Sequence, residues 1–242
     1  MSASTQAKAV SAVVPAFNEA GRVGPTVRAL WTVPGVREVV VVDDGSSDST
    51  AEEAAEAGAR VVRLRRHAGK SEALRAGYRA AGGEVLLLAD ADLGPSAASL
   101  AALCAPVAGG AADMAVAIPT VRSGGGLGLV RGLAGWAVRR MGGWQPRAAL
   151  SGQRALRAEI APALLEGPAL RFGVELQMSI RAGRLGLRVV ELEVPFTHRA
   201  TGRDLAGWLH RGRQMRDVAF TLWRLARSEE DEAGTQTPWG RS

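Results

Sequence analysis

Apolar residues along this chain follow two different periods. The runs VSAVVP (10–15), VVVV (39–42) and VLLLA (85–89) are unbroken, uncapped and too short for helices, so they read as buried strands, the first ended by proline. ARVVRL (59–64) reads as another strand. Between them the period changes. In GRVGPTVRALWTV the apolar positions Val23, Val27, Leu30 and Trp31 recur at helical spacing. DSTAEEAAEAG predicts a helix with Asp48 or Ser49 as N-cap, acids in its first turn and Gly58 as C-cap. GKSEALRAGYRAAGG predicts another, entered through a glycine and stopped at Gly82-Gly83. Strands and helices alternating through short connections imply an α/β fold: a mostly parallel central sheet with helices on both faces.

After Pro119 the pattern changes. The stretch up to Pro146 is rich in Gly and Arg, and LGLVRGLAGWAVRRM places Leu129, Val130, Leu133, Ala137 and Met141 on one broad helical arc, with Arg131 and Arg139 opposite. A helix of this kind either faces a core or lies on an anionic membrane surface. LSGQRAL and FGVELQMSIRAGRLG are expected to bring a further helix, and LRVVELEVPF a strand ended by Pro195. DLAGWLHRGRQMRDVAFTLWRLAR then reads as a long amphipathic helix, and the polar residues 228–242 as a disordered tail.

The length of 242 residues suits one domain, expected over 1–227. No run of 18 apolar residues marks a membrane span, and MSASTQAKAV has no charged-then-apolar leader pattern, so a cytoplasmic location is expected. The single cysteine, Cys104, sits in SLAALCAPVA and reads as a buried structural thiol. The net charge is +6, yet only two of the 30 cationic residues are lysines, Lys8 and Lys70. Arginine clasps phosphates at two points, so the balance admits phosphorylated ligands or anionic lipid. With 5% aromatic residues and no recognition motif, nucleic acid is not an expected partner.

The candidate chemistry lies where the strands end. In an open parallel sheet ligands bind at the carboxyl ends of the strands. Here Asn18 and Glu19 follow the first strand, Asp43 and Asp44 the second, and Asp90 and Asp92 the fourth, while Lys70 heads the helix after the third. Asp90 and Asp92 are spaced to reach one hard divalent cation, Mg²⁺ or Mn²⁺, whose remaining ligands come from substrate phosphates. Such a cation neutralises charge on a departing diphosphate. There is no G-x-G-x-x-G after the first strand, HAGKS lacks the upstream glycine of a P-loop, and no Cys/His cluster suggests zinc.

The motifs VVPAFNEAGRV, VVVVDDGSSDST, HAGKSEALRAG and LLLADADL, in that order, resemble the family 2 type glycosyltransferases of GT-A fold. The resemblance includes the dolichol-phosphate mannosyltransferase-like and glucosyl-3-phosphoglycerate synthase-like branches and runs over about residues 10–215. It implies a nucleotide-binding half at about 10–118 and an acceptor half at about 119–227. It also implies that Pro15, Phe17 and Glu19 line the nucleoside pocket, that Asp44 holds the base with Lys70 beside it, and that Asp92 is the direct metal ligand, with Asp90 nearer the ribose or metal. SGQRAL resembles the acceptor-side loop, placing Ser151, Gly152 and Gln153 near the transferred sugar. FGVELQMSIRA resembles a helix start that turns Glu175 to the site. VPFTHRATGRD resembles the segment that brings a histidine to the metal or diphosphate, making His198 a metal candidate and Arg199 and Arg203 acceptor candidates. Arg171-Phe172 and Gly94 depart from the usual pattern on the acceptor side.

The function so implied is metal-dependent transfer of a sugar from a UDP- or GDP-linked donor to a phosphorylated acceptor. That acceptor is either a polyprenyl phosphate or a small phosphorylated acid such as 3-phosphoglycerate. Asp92 and Glu175 are the catalytic candidates, with peripheral membrane contact through about 127–141, at the inner face of the membrane, and a homodimer among the expected associations. Two other readings stand beside it: a nucleotidyltransferase, against which the missing glycine-rich activation loop counts, and a degenerate nucleotide-sugar binder without turnover.

Overall fold

The computed structural model describes residues 8–120, 128–167 and 173–196. Seven strands form one sheet: β1 (Val10–Ala16), β2 (Val36–Asp43), β3 (Arg60–Arg63), β4 (Val85–Leu88), β5 (Met114–Pro119), β6 (Arg154–Arg157) and β7 (Val189–Val194), in the order β3-β2-β1-β4-β6-β5-β7. Every pairing is parallel except the two made by β6, which runs antiparallel between β4 and β5. Around the sheet lie α1 (Val23–Trp31), α2 (Thr50–Glu56), α3 (Lys70–Ala80), α4 (Ala101–Ala108), α5 (Gly128–Gly142), α6 (Ala161–Leu165) and α7 (Val174–Arg184).

The unbroken apolar runs have a direct cause. Ala12, Val14, Val39, Val41, Val85 and Leu87 face one core, packed under α1 and α4, while Val13, Leu86 and Leu88 face the other, packed under α3, α6 and α7. A strand covered on both faces cannot alternate apolar with polar. Cys104 belongs to the first core, and burial pushes its thiol up to about 12, the state of an inert structural cysteine.

Several expectations are corrected. Pro15 lies inside β1, which runs on to Ala16; β4 pairs with β1 only as far as Val13, so the missing proline N–H costs no bond on that side. LSGQRAL is not helical: Arg154–Arg157 form β6, a four-residue strand whose side chains reach both cores. Trp31 is 39% exposed at the end of α1, and Leu133 is 37% exposed on α5, whose inner face is instead Val130, Ala134, Ala137 and Val138. That inner face packs on Leu176 and Ile180 of α7. The long helix expected at 204–227, the tail, and His198, Arg199, Arg203, Arg171 and Phe172 lie outside the described residues.

Topology positions the site. Strands β2, β1 and β4 are neighbours and parallel, so the segments after them emerge side by side. Because β6 runs the opposite way, its first residue, Arg154, pairs with Leu88 at the end of β4. The loop entering β6 therefore meets the loop leaving β4.

Candidate functional site

One half of the site is the junction of the loops after β1 and β2. Asn18 takes the left-handed conformation, at φ 54°, one that asparagine tolerates better than most side chains. Its N–H donates to Ser46 Oγ at 2.9 Å, and its Oδ1 accepts from the Ser47 N–H at 2.9 Å, which staples the two loops together. The Glu19 N–H donates to Thr50 Oγ1 at 2.8 Å, and the Glu19 carboxylate pairs with Arg22 at 2.9 Å.

Asp44, 3% exposed, is the hub of this half. Its two oxygens accept the N–H groups of Ala68 at 2.7 Å and Gly69 at 2.8 Å, and His67 Nδ1 lies 2.9 Å from Oδ2. The His67 ring lies against Phe17, centroids 4.0 Å apart and tilted by 32°. Phe17 is 40% exposed. A half-exposed aromatic face beside an anchored carboxylate is a surface on which a base can stack while the carboxylate accepts its N–H.

The other half is built around Lys70, the first residue of α3. Its ammonium contacts Asp90 Oδ1 at 2.6 Å and Glu175 Oε1 at 2.8 Å. Burial opposes its charge, but Asp90 and Glu175 outweigh that and hold its pKa above the ordinary lysine value. Asp90 Oδ2 accepts from Gln153 Nε2 at 2.7 Å. Glycine between Ser151 and Gln153 leaves room for this pair: a Cβ on Gly152 would stand 2.8 Å from Lys70 Nζ and 3.1 Å from Asp90 Oδ2, so a larger residue would have to displace them. Ser151 Oγ and Gln153 Oε1 are buried without a hydrogen-bond partner among the described residues, and a ligand hydroxyl or water can satisfy them.

Asp92 differs from Asp90. It is half-buried, Arg22 is close enough to feel its charge, and among the described residues it takes part in no hydrogen bond or ion pair. A carboxylate of this kind, with hard oxygens and no internal partner, fits Mg²⁺ or Mn²⁺. No group of three or more His, Cys, Asp or Glu side chains among the described residues forms a closed cage.

The structure thus brings Pro15, Phe17, Glu19, Asp44, Lys70, Asp90, Asp92, Ser151, Gly152, Gln153 and Glu175 to one edge of the sheet, in two groups. Lys70 falls in the group of Asp90 and Glu175 rather than against Asp44. Sequence reasoning missed His67, although it stands in the quoted HAGK motif, and Arg154, although it follows SGQ.

A family model described as glycosyl transferase family 2 matches residues 11–161. The dodecaprenyl-phosphate galacturonate synthase of Rhizobium johnstonii is 37% identical over 98 residues, which are 36% of this chain and 29% of that protein. An uncharacterized glycosyltransferase of Mycobacterium tuberculosis is 33% identical over 220 residues, covering 84% of this chain and 92% of the relative. Among solved structures, glucosyl-3-phosphoglycerate synthase of M. tuberculosis in complex with Mg²⁺ and UDP superposes with a TM-score of 0.75 at 28% identity, covering 90% of this chain and 79% of that one. Another crystal structure of that synthase holds Mn²⁺, UDP-glucose and phosphoglyceric acid. The anchored carboxylates at the ends of β2 and β4, the antiparallel β6 and the family match agree: this chain is a glycosyltransferase of GT-A fold and belongs to glycosyl transferase family 2.

Proposed function

We propose that the protein transfers a sugar from a UDP-linked donor to a small phosphorylated acid, in the manner of a phosphoglycerate glycosyltransferase. The observation that carries this reading is the two-part arrangement: Phe17 and His67 in ring contact around the anchored Asp44, and the hydrogen-bonded cluster of Lys70, Asp90, Gln153 and Glu175. The synthase resembled over 90% of this chain binds UDP and phosphoglyceric acid, which supports both substrate classes.

In this reading Pro15 and Glu19 border the nucleoside with Phe17, and Asp44 accepts the base N–H. Asp92, assisted by Asp90 and by His198, is the holder of Mg²⁺ or Mn²⁺, which supplies charge neutralisation for the departing diphosphate. Lys70 adds a fixed positive charge on the sugar side, and it is pre-oriented by two carboxylates, so little rearrangement is needed as charge develops. Gln153 Oε1 and Ser151 Oγ take hydroxyls of the sugar or acceptor. Glu175, bound to Lys70 through Oε1, offers Oε2 to the acceptor hydroxyl as hydrogen-bond acceptor or base. Arg199 and Arg203 are assigned to the acceptor phosphate.

A second acceptor, polyprenyl phosphate at a membrane surface, is favoured by the outer face of α5. There Trp136 (51% exposed) and Leu133 stand among exposed Arg131, Arg139 and Arg140. Among the described residues no helix is long and apolar enough to cross a membrane, so such contact would be peripheral.

The test is thermal unfolding with UDP or GDP, each with and without Mn²⁺, on the protein and on Asp92→Ala, followed by UDP release from UDP-sugars with 3-phosphoglycerate or a polyprenyl phosphate. A Mn²⁺-dependent rise with UDP that Asp92→Ala abolishes, and turnover only when acceptor is present, is the expected result. Binding without turnover on any acceptor would favour a nucleotide-sugar binder, and no shift with UDP would sink the donor assignment.

A further inference from the structure

Arg154, the first residue of β6, is the largest fully buried side chain among the described residues. Burying a guanidinium is costly without full hydrogen bonding. Its charge makes no ion pair with any described carboxylate at contact distance, and burial pushes its pKa down to about 10, with Glu175 and Glu191 only partly compensating. What it contacts is mostly backbone, with the Ser179 hydroxyl and, at 3.9 Å, Met114 Sδ beside it. Nε donates to the Ser151 carbonyl at 2.8 Å, and Nη2 donates to the carbonyls of Ala149 at 2.9 Å and Glu175 at 3.0 Å and to Ser179 Oγ at 3.0 Å. The Ser179 hydroxyl reaches the same two carbonyls, Glu175 at 2.9 Å and Ala149 at 3.1 Å.

These carbonyls belong to two separate segments: the loop that enters β6 and the first turn of α7. The loop delivers Gln153 to Asp90 and sets Gly152 against Lys70, while the turn delivers Glu175 to Lys70. One rigid, planar donor group thus fixes the spacing of the two segments that close around the Lys70 ammonium. A neutral side chain that merely satisfied one carbonyl would leave the segments free to separate.

We propose that Arg154 is a positioning residue: through its bonds to the Ser151 and Glu175 carbonyls it holds Gln153 and Glu175 at the distances that lock Lys70 and Asp90. Its consequence for glycosyl transfer rests on the function proposed above; its effect on Lys70 does not. Lysine is scarce enough to report on this directly, since Lys8 and Lys70 are the chain's only two. In protein labelled with ¹⁵N-lysine, the ammonium of each can be followed by its proton exchange with water at one fixed pH, without any donor, metal or acceptor.

The expected result is that at pH 7 the Lys70 ammonium of the native chain, held between two carboxylates, exchanges its protons with water more slowly than that of Lys8. In Arg154→Gln, with native near-ultraviolet circular dichroism, that exchange quickens by about 10-fold or more, because the carboxylates have moved off. The control is Gln177→Met. Gln177 is equally buried on α7 and donates at 3.0 Å to the carbonyls of Leu164 and Glu166, away from the loop. This change should lower stability and leave the Lys70 exchange where it was. A folded Arg154→Gln that loses stability as Gln177→Met does, with the Lys70 exchange unmoved, would overturn the proposal and reduce Arg154 to a core hydrogen-bond donor. Should Arg154→Gln not fold, Arg154→Lys, which keeps the charge but not the planar fork, reads the same signal: faster Lys70 exchange supports the proposal and an unmoved one overturns it. Where UDP-sugar turnover is established, Arg154→Gln is expected to lower kcat at least 10-fold with little change in donor KM, and Arg154→Lys to recover part of it.

Discussion

At the scale of single residues, the site is organised by who neutralises whom. Asp90 and Asp92 share a spacing but not an environment: Asp90 is engaged by Lys70 and Gln153, whereas Asp92 has no hydrogen-bonding or ion-pairing partner among the described residues. The cation next to Asp90 is the chain's own, which is why the proposed function makes Asp92 the main metal ligand and Asp90 only its assistant. Replacing Lys70 by Met leaves Asp90 and Glu175 facing each other without their shared ammonium. The expected cost is about 2 kcal/mol at pH 7, read by urea unfolding, because a partly buried pair has lost one member. The sign with pH follows from the raised lysine pKa. The contribution is fully present below the ordinary value of 10.5 and is lost only as pH rises through the higher folded-state value. The gap between native chain and variant should hold from pH 7 to 10 and close above that; a gap that closes by pH 9 would contradict the pairing.

At the scale of elements, two contacts hold the C-terminal side of the described fold, around β5, β7, α5 and α7. Strands β5 and β7 are joined at their starts by Asp113, which accepts from Arg188 at 2.9 and 3.1 Å and faces Arg157 at 3.3 Å. The Arg188 guanidinium holds this carboxyl down at about 2. A depressed carboxylate pKa stabilises above its unfolded value and loses that contribution as pH falls through the folded one. Asp113→Asn is expected to cost about 2 kcal/mol at pH 7, a cost that shrinks from pH 4 downward and vanishes near pH 2. Helices α5 and α7 meet through glycine: a Cβ on Gly183 would collide with the Gly142 carbonyl and with Trp144. Gly183→Ala should destabilise by about 2 kcal/mol through overpacking. Gly132→Ala, on the open side of α5 with nothing within 4 Å, should be neutral or stabilise by up to about 1 kcal/mol. Equal thermal shifts for the two variants would refute the close helix crossing.

At the scale of the whole molecule, charge and exposed aromatic surface coincide on α5. The chain is strongly basic, with net charge +6, and Arg131, Arg139 and Arg140 surround Trp136 and Leu133 there. If this face meets lipid, flotation with vesicles containing anionic phosphatidylglycerol should capture the protein and neutral phosphatidylcholine vesicles should not. Capture should fall as salt is raised, since screening shortens the reach of these charges to about 8 Å at physiological ionic strength. Leu133→Gln with Trp136→Gln should abolish it while leaving UDP binding intact. Capture that survives the double change would assign any lipid contact to another surface.

Much of this was legible in the primary structure, and the reason is local. Unbroken apolar runs marked strands covered on both faces, and the acids at the ends of β2 and β4 marked the edge where the candidate site gathers, because strand direction and strand ends are properties of contiguous residues. Phe17, Asp44, Lys70 and Asp92 could be named for the same reason: each sits in a short motif. Only the tertiary structure decided the rest. Four residues, Arg154–Arg157, carry too little pattern to declare a strand, and it is pairing with β4 and β5 that makes them one. That reversal brings Gln153 to Asp90 from 63 positions away. Neither the sharing of one lysine by Asp90 and Glu175 nor the buried fork of Arg154 leaves a mark on spacing, since both depend on distances across the sheet rather than along the chain. Sequence determined which chemistry reaches the edge; packing determined which groups neutralise one another once there.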